Sequence, residues 1–348
     1  MQLPPGPIET AEYHTAGEPF RIVTAGVPTP EGATVLDRRS WSEQHLDDVR
    51  AFLVNEPRGH AGMYGGIVTP PNDDGGDIGV VFFHKDGFST ACGHGTIALA
   101  TWALDTGRVA GRPIDGTDRV ELFVDVPSGR LRVEATRDTD GRVAGVRFWN
   151  VDAYVTARAL PIDTSRGPIP VDISFGGAFY ASVALDGTDL APAVEDLGHL
   201  VDLARELRTG LVDHPAAAHA VDDRLSGVYG VIFHQDLGPD TPDDPDGIAV
   251  RQRNVTVFAD GEIDRSPCGS GTSARLAALV AAGRLRTDQR LANDGVAGGT
   301  FDGRVEACTD HEGRTLVATS VAGAAYATGR ATFQLDPRDP IGLGFQLV

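Results

Sequence analysis

Two stretches of the chain place a cysteine before a glycine-rich turn and a helix-forming segment. They are Cys92-Gly-His-Gly-Thr-Ile-Ala and Cys268-Gly-Ser-Gly-Thr-Ser-Ala, and they align without a gap at an offset of 268 − 92 = 176. Each copy predicts a helix of about three to four turns that ends at a glycine, Gly107 or Gly283. The two cysteines are therefore predicted at the N-termini of equivalent helices, in two halves related by a pseudo-twofold axis.

A thiol at a helix N-terminus is suited to proton transfer. The unpaired N–H groups and the helix dipole lower the pKa of a thiol there and can also bind a carboxylate. Inverting a carbon stereocentre by proton transfer needs a base on one face and an acid on the opposite face. Two thiols facing one cleft would supply both, so Cys92 and Cys268 are predicted to exchange these roles. A single buried cysteine is often only a small hydrophobic residue, but a matched pair in glycine turns favours catalysis.

Further motifs resemble those of the proline racemase family, which includes proline racemases, 4-hydroxyproline 2-epimerases and trans-3-hydroxy-L-proline dehydratases. The resemblance runs from about residue 11 to the C-terminus and is carried by Cys92-Gly-His-Gly, Asp264-Arg-Ser-Pro-Cys268-Gly-Ser-Gly-Thr-Ser-Ala, His14-Thr-Ala-Gly-Glu18, Glu56-Pro-Arg-Gly-His60 and Ile173-Ser-Phe-Gly-Gly177. It implies an α/β (α+β) fold like that of diaminopimelate epimerase. Two pseudo-symmetric halves, each a curved, mostly antiparallel sheet around a central helix, would hold the active site in the cleft between them.

The resemblance also implies roles for single residues. Asp264 would hold the cationic ring nitrogen and His94 would contact the substrate, although an Asp in a turn is commonly a cap and a lone histidine is often structural. Tyr64 and Phe258 match positions where family members present aromatic or apolar side chains to the pyrrolidine ring. The substrate carboxylate, whose charge rises as the α-proton leaves, is expected to bind the backbone N–H groups of Gly93, His94, Gly269 and Ser270.

The hydroxyl group of Tyr64 bears on which ring is bound. A proline pocket should be wholly apolar, because an unpaired buried hydroxyl costs roughly 1–3 kcal/mol. If the Tyr64 hydroxyl faces the pocket, a hydroxyl on the substrate could satisfy it, which predicts a higher kcat/KM for a hydroxyproline than for proline. The alternative, that this hydroxyl points to water or backbone, stays open.

Composition limits the classes of function. A chain of 348 residues, 41% of them hydrophobic, can bury a core and form two domains. Its net charge of −19 argues against nucleic acid and anionic membranes as partners, and no apolar run reaches the roughly 18 residues of a membrane span. The first residues lack a signal-peptide pattern, so a cytoplasmic location is expected, where the three cysteines would stay reduced. The expected partner is a small-molecule substrate, and a homodimer stays open.

Lys85 is the only lysine in the chain. A pyridoxal phosphate mechanism would have to use it as the Schiff base, yet it lies in a predicted hairpin turn, Phe83-His-Lys-Asp-Gly87. The chemistry is therefore expected to need no cofactor and no metal.

Hydrophobic periodicity predicts the elements that position these motifs. Strands are predicted at 20–25, 78–83, 120–124, 131–135, 143–148, 171–175, 179–183, 227–234, 254–259, 316–321 and 324–335. Ser40 and Glu43 predict a capping box for a helix to about Leu53, and 193–209 is predicted as a core helix. The halves are predicted as 1–150, joined by about 335–348, and 151–334. The acidic segment 236–246 is predicted to be an exposed loop, and Arg58 and His60 to be structural.

Three other functions fit parts of the pattern. A trans-3-hydroxy-L-proline dehydratase needs one base and loss of the β-hydroxyl; that branch of the family typically carries Thr at the position of Cys268, although Met63-Tyr64-Gly65 and 255–260 resemble it. Gly269-Ser-Gly271-Thr-Ser-Ala274 satisfies the glycine pattern of a dinucleotide site, but Asp264-Arg-Ser-Pro267 separates it from the preceding strand. A non-catalytic amino-acid-binding protein would use the same two helix N-termini.

Overall fold

The computed structural model describes residues 3–238 and 248–347 of the protein. The chain divides into two units, Met1–Arg147 with Ala324–Val348, and Phe148–Gly323. Most of the predicted acidic loop, residues 239–246, lies outside the described residues. No helix within the described ranges is long and apolar enough to cross a membrane.

The elements follow one another along the chain in this order. Up to residue 149 they are β1 (Ile8–Thr15), β2 (Glu18–Ala25), α1 (Val35–His45), α2 (Asp47–Val54), β3 (Tyr64–Thr69), β4 (Ile78–His84), β5 (Gly87–Ser89), α3 (Gly93–Asp105), β6 (Arg112–Pro113), β7 (Arg119–Val126), β8 (Gly129–Arg137) and β9 (Val143–Trp149). The rest are β10 (Tyr154–Thr164), β11 (Gly167–Phe175), β12 (Phe179–Ala184), α4 (Leu197–Gly210), β13 (Val228–Asp236), β14 (Ile248–Phe258), β15 (Glu262–Asp264), α5 (Gly269–Ala281), β16 (Arg290–Gly295), β17 (Thr300–His311), β18 (Arg314–Gly323) and β19 (Ala325–Phe333), with short 3-10 helices at Val194–Asp196, Pro215–Ala217 and Asp223–Leu225.

The two units repeat one order of strand pairings. In the first, β2 and β3 are parallel, β3 and β4 are antiparallel, and β4 forms a hairpin with β5 before α3 begins. After α3, β7 pairs in parallel with β4 and antiparallel with β8. In the second unit, β12 to β17 make the same pairings in the same order around α5. Parallel neighbours need a crossover connection, which α1 and α2 supply in the first unit and α4 in the second. The predicted α+β class, with two halves of similar and mostly antiparallel topology, is confirmed.

Helices α3 and α5 are the buried centres of their units. All residues of α3 from Gly93 to Leu104 are buried, and so are those of α5 from Gly269 to Leu279. A helix that is buried on every side carries mainly apolar or small residues, and both sequences are rich in Gly and Ala, with Arg275 of α5 as a buried charged exception. Each helix has 13 residues and is followed by a glycine with positive φ, Gly107 at 69° and Gly283 at 70°. The predicted length and end of the repeated helix are confirmed.

The predicted start of the first helix is wrong. Thr34 caps α1, with a capping box in which its side chain accepts from the Asp37 N–H and the Asp37 carboxylate accepts from the Thr34 N–H. Ser40 lies inside the helix, where its hydroxyl donates to the Leu36 carbonyl. The sequence holds two Ser/Thr-x-x-acid patterns six residues apart (40 − 34), and only packing decides which of them begins the helix. The chain then breaks at Leu46, so the predicted single helix is two, α1 and α2.

Candidate active site

Cys92 is the N-cap residue of α3, and its sulfur is held by polar contacts. The Gly95 N–H donates to Cys92 Sγ over 3.3 Å, and the His94 ring lies against the same sulfur, with Nδ1 at 3.4 Å and Nε2 at 3.7 Å. Donors aimed at a sulfur at a helix N-terminus favour its thiolate form. Position 95 must be glycine, because a Cβ there would lie 2.7 Å from Cys92 Sγ. The structure therefore brings two predicted site residues, Cys92 and His94, into contact.

Aromatic rings surround the His94 imidazole. Tyr64, at the start of β3, meets it edge to face with ring centroids 5.1 Å apart, and Phe20 of β2 does so at 5.6 Å. The Thr15 hydroxyl donates to the His94 carbonyl over 2.9 Å, which fixes the first turn of α3. Tyr64 thus belongs with Cys92 and His94 to one cluster of side chains in the first unit.

The Tyr64 hydroxyl differs from both alternatives that the sequence left open. It is buried and hydrogen-bonded to the Ser89 hydroxyl at the end of β5. It therefore has a protein partner and needs no hydroxyl from a substrate. The argument that an unpaired Tyr64 hydroxyl selects hydroxyproline does not hold for this structure.

Cys268 is the N-cap residue of α5 and has an unusual backbone. Its φ is +62°, a region that side-chain-bearing residues seldom occupy and that the surrounding contacts must enforce. The Cys268 carbonyl accepts from the N–H of Thr272 at 2.7 Å and from its hydroxyl at 2.8 Å, and the Cys268 N–H donates to the Ser266 hydroxyl at 3.1 Å. A Cβ at Gly271 would lie 2.8 Å from Cys268 Sγ. The matching glycines of the two motifs, Gly95 and Gly271, thus both make room for a sulfur.

Asp264 is linked to Cys268 through Ser266. The Ser266 hydroxyl and N–H both donate to Asp264 Oδ1, at 2.7 and 2.8 Å, and the same hydroxyl accepts from the Cys268 N–H. Asp264 ends β15 and is only 5% exposed. The structure therefore places Asp264 beside the thiol in a site that largely excludes water.

Burial sets the protonation of both groups. It raises the pKa of Asp264 to about 6, against the opposing hydrogen bonds from Ser266. Burial also raises the pKa of the Cys268 thiol to about 12, and the Asp264 charge adds to the effect, while the Tyr180 hydroxyl acts in the opposite direction. The expectation that the helix N-terminus lowers the thiol pKa is therefore wrong for Cys268, where burial has the larger effect. In the protein without substrate Cys268 is a thiol at neutral pH, the form that an acid requires.

Tyr180 is a site residue that the sequence did not reveal. Cys268 Sγ donates to the Tyr180 hydroxyl at 3.6 Å, and that hydroxyl is 2.7 Å from Ser270 Oγ. The alternation of side-chain directions along β12 could have indicated its position. Phe179 packs into the core beneath α4, whereas Tyr180 packs with Ile232, Cys268 and Ala274. A strand that is buried on both faces points its alternate residues at different helices.

Phe258 is linked to this cluster through another aromatic residue. It ends β14, and its ring stacks on Tyr229 with centroids 5.7 Å apart. Tyr229 in turn meets Tyr180 edge to face at 5.7 Å. Tyr229 was not predicted either.

The strand registers match residues around Cys92 in the first unit with residues around Cys268 in the second. The pair Tyr64–His84 of β3 and β4 corresponds to the pair Gly230–Phe258 of β13 and β14. The pair Arg21–Gly65 of β2 and β3 corresponds to the pair Ala181–Val231 of β12 and β13. It follows that Phe20 corresponds to Tyr180. Ser89 corresponds to Asp264, because Ser89 pairs with Phe82 and Asp264 pairs with Thr256 at the matching place. By its distance from the cysteine, His94 corresponds to Ser270. The surroundings of Cys92 and Cys268 thus have the same strand pairings but different polar groups.

Arg58 takes a structural position, as predicted, and the role of His60 stays a prediction. The Arg58 guanidinium donates to the carbonyls of Phe52 and Gly342 and lies over the Phe52 ring, with its Cζ 4.1 Å from the centroid. His60 is exposed, and its Nδ1 contacts the Ala61 carbonyl.

Lys85 lies in the turn between β4 and β5, the predicted hairpin. Among the described residues, no group of three His, Cys, Asp or Glu side chains is arranged to hold a metal ion.

The chain matches a known protein family over nearly its whole length. The sequence profile of the family described as proline racemase matches residues 10–346. The chain belongs to the proline racemase family. This confirms the resemblance drawn from the motifs around Cys92 and Cys268.

Relatives within the proline racemase family carry two kinds of name. The chain is 39% identical over 340 residues to a trans-3-hydroxy-L-proline dehydratase of Bacillus cereus, covering 97% of each chain. It is equally 39% identical over 340 residues, with the same coverage, to a 3-hydroxyproline 2-epimerase of Burkholderia multivorans. The crystal structure of a hydroxyproline epimerase from Agrobacterium vitis with bound trans-4-hydroxy-L-proline superposes with a TM-score of 0.86 at 27% identity, covering 99% of this chain and 97% of that one. The protein is thus an enzyme of a family whose members are named as isomerases and as a lyase.

Proposed function

We propose that the protein is a cofactor-independent hydroxyproline 2-epimerase that uses Cys92 and Cys268 as its two proton-transfer groups. The observation that carries the proposal is the repeat itself, because each unit presents a cysteine as the N-cap of its buried central helix. A reaction that removes a proton from one face of a carbon and returns one to the other needs two such groups. A reaction that only removes the α-proton needs one.

The mechanism begins with Cys92 as the thiolate and Cys268 as the thiol. Cys92 takes the α-proton, and the electron pair of the C–H bond moves into an enediolate. The Cys268 S–H then gives its proton to the opposite face of the carbon, which leaves Cys92 protonated and Cys268 as the thiolate. Conversion of the opposite epimer runs the same steps backwards. The raised pKa of Cys268 supports this assignment, since the acid must hold its proton in the free enzyme.

The remaining predicted residues would bind the substrate. The N–H groups of Gly93, His94, Gly269 and Ser270, in the first turns of α3 and α5, would stabilise the carboxylate and then the more strongly charged enediolate. The Asp264 carboxylate would pair with the ring ammonium group, whose positive charge favours its ionised form. Tyr64 and Phe258 would contact the pyrrolidine ring. The proposal assigns hydroxyproline rather than proline because the Burkholderia relative is named a 3-hydroxyproline 2-epimerase.

The second candidate is a trans-3-hydroxy-L-proline dehydratase, which is favoured by the equal identity to the Bacillus relative of that name. Such an enzyme would use the same enediolate but would lose the β-hydroxyl instead of accepting a second proton. The presence of Cys268 ranks inversion higher, because a thiol at this place can return the proton before the hydroxyl leaves.

Incubation with trans-3-hydroxy-L-proline, trans-4-hydroxy-L-proline and L-proline in D₂O, followed by proton NMR, tests the proposal. We expect the 2-epimer with deuterium at the α-carbon, formed faster from a hydroxyproline than from L-proline. Cys92→Ala and Cys268→Ala should each lower epimerisation by roughly a thousandfold, within the usual range for losing a general acid or base.

Other outcomes would replace this assignment. A pyrroline product without epimer would make the protein a dehydratase, and binding without turnover of any of the three would make it a binding protein. Full epimerase activity in Cys268→Ala would exclude the two-thiol mechanism.

A further inference from the structure

The two thiols are supported by different polar groups. In the first unit the imidazole of His94 touches Cys92 directly, and Phe20 fills the neighbouring place on β2. In the second unit Ser270 stands where His94 would be, and its hydroxyl contacts the Tyr180 hydroxyl rather than the sulfur. Tyr180 occupies the place of Phe20 and adds the one atom that Phe20 lacks, a hydroxyl 3.6 Å from Cys268 Sγ.

We propose that Tyr180 is a positioning residue whose hydroxyl, oriented by Ser270, holds Cys268 in both of its protonation states. This inference rests on the proposed proton transfer at Cys268. The motifs around the cysteines do not include Tyr180, because it lies on β12, 88 residues before Cys268.

Two hydroxyl rotations are enough to serve both states. When Cys268 is a thiol, its S–H donates to the Tyr180 oxygen and the Tyr180 O–H donates to Ser270 Oγ. When Cys268 has given up its proton, the Ser270 O–H donates to the Tyr180 oxygen and the Tyr180 O–H donates to the thiolate. The only proton that is transferred is the one that Cys268 gives to the substrate, and Tyr180 and Ser270 keep theirs. A hydroxyl can play both parts because it is at once a donor and an acceptor.

The surroundings of Cys268 explain why such support is needed. Asp264 is the charged group that acts on the thiol, and its negative charge opposes the thiolate, as does burial. Arg265 acts on Asp264. Cys268 shares a buried cluster with Ala178, Tyr180, Ile232 and Ala274, against which Tyr229 packs. Of the groups that favour the thiolate, the Tyr180 hydroxyl makes a hydrogen bond with the sulfur, at 3.6 Å. A hydrogen bond to an ionised acceptor is stronger than one between neutral groups.

Tyr180 is held rigidly enough for this role. Its side chain is fully buried, its backbone pairs with Ser174 of β11 and Gly230 of β13, and its ring packs edge to face on Tyr229. A residue fixed on three sides presents its hydroxyl at a constant place.

The experiment measures the reactivity of Cys268 itself and needs no substrate. The protein has three cysteines, so Cys92→Ala with Cys308→Ala leaves Cys268 as the only thiol. In this background, Tyr180→Phe is compared with Tyr154→Phe by the rate of iodoacetamide alkylation from about pH 7 to pH 10, followed by mass spectrometry. Tyr154 is a matched control, because it is a buried tyrosine of the same unit that stacks on Phe175 in the core beneath α4.

We expect Tyr180→Phe to slow alkylation about tenfold at every pH in this range, the effect of one hydrogen bond to a charged group. Tyr154→Phe should react at the rate of the background. The substituted side chain has the shape of Phe20, so the fold should accept it, and circular dichroism checks this. If Tyr180→Phe does not fold, Ser270→Ala decides the question, since it leaves the Tyr180 ring in place and should slow alkylation by a smaller factor.

An unchanged alkylation rate in Tyr180→Phe, or in Ser270→Ala where that variant decides, would overturn the inference. Because alkylation involves no amino acid, this result is independent of whether the enzyme epimerises hydroxyproline. In the three-cysteine enzyme the same substitution should move the basic limb of the kcat/KM profile to higher pH and leave binding of the substrate carboxylate unaltered. A purely structural defect would lower activity without moving the profile.

Discussion

The Asp264 carboxylate is charged in a place where charge is costly. Burial raises its pKa from 3.8 to about 6, although two donors from Ser266 partly offset the effect. A carboxyl group whose pKa is higher in the folded state favours folding most below its unfolded pKa, and this contribution is lost as the pH rises through about 6. At neutral pH the ionised Asp264 therefore destabilises the free enzyme, and in the proposed mechanism a substrate ammonium group would offset this cost.

This predicts that Asp264→Asn stabilises the protein and inactivates it. The amide keeps an acceptor for Ser266 but carries no charge, so unfolding at pH 7 should cost up to about 3 kcal/mol more than in the wild type, at roughly 1.4 kcal/mol for each pKa unit. The difference in Tm should disappear near pH 4. Thermal unfolding followed by circular dichroism across this range measures it, and a Tm that is lower than that of the wild type at pH 7 would contradict it.

Asp222→Asn is the control with the opposite sign. Hydrogen bonds from the Arg224 side chain and N–H lower the pKa of this partly exposed carboxyl group, so its charge favours the folded state. Removing the charge should leave Tm unchanged or slightly lower at pH 7, and any effect should fade as the pH falls toward the lowered pKa.

At the level of elements, the position of α5 depends on a glycine in the turn between β11 and β12. A Cβ added at Gly176 would lie 2.5 Å from the Ser270 carbonyl oxygen and 2.8 Å from the Ala274 N atom. Both atoms are backbone, so the first turn of the helix, and Cys268 with it, would have to move. Gly176→Ala should cost about 1–3 kcal/mol of stability. It should also lower kcat by more than a substitution elsewhere that costs the same stability.

Gly198→Ala is the matched control for this prediction. Gly198 lies in the first turn of α4, and no heavy atom stands within 4 Å of the place where its Cβ would be. This substitution should be neutral or stabilising by up to about 1 kcal/mol, with full activity. Urea unfolding and steady-state kinetics on both variants decide the matter, and equal behaviour of the two would show that α5 tolerates displacement.

The elements also show what a sequence can reveal and what it cannot. The helices after Cys92 and Cys268 were predictable because the two motifs align without a gap and both helices end at a glycine. The correspondence between Phe20 and Tyr180 was not, since it stands at an offset of 180 − 20 = 160, against 176 for the cysteines. Insertions between the elements shift the register, and the two residues differ in type. The contact of Tyr180 with Cys268 arises only when β12 pairs with β13 and α5 packs on that face.

At the scale of the whole molecule, the C-terminal segment belongs to the first unit. Strand β19 pairs along β1 from Ile8–Phe333 to Thr15–Ala325, and Leu343 packs against the core of that unit. Beyond β19, Glu56 and Phe345 exchange two backbone hydrogen bonds, at 3.1 and 2.9 Å, and the Gly342 carbonyl accepts from Arg58. The end of the chain thus holds the loop that leads into β3 and Tyr64.

Removing residues 341–348 should therefore loosen the first unit and leave the second intact. The deletion takes away the two backbone hydrogen bonds between Glu56 and Phe345, the bond from Arg58 to the Gly342 carbonyl, and the bonds that join Asn55 to Leu343 and Gln346. Each is worth about 1 kcal/mol net, and more where Arg58 donates; the apolar contact of Leu343 is lost as well. Hydrogen exchange should accelerate in the segment from Glu56 to Tyr64 and in β3, while amides of α5 keep their protection, because opening is confined to cooperative segments. Gln346→Ala is the control, since it removes only an exposed side-chain contact to Asn55. Faster exchange throughout α5 as well would contradict this prediction, because loss of the C-terminal segment would then open both units together.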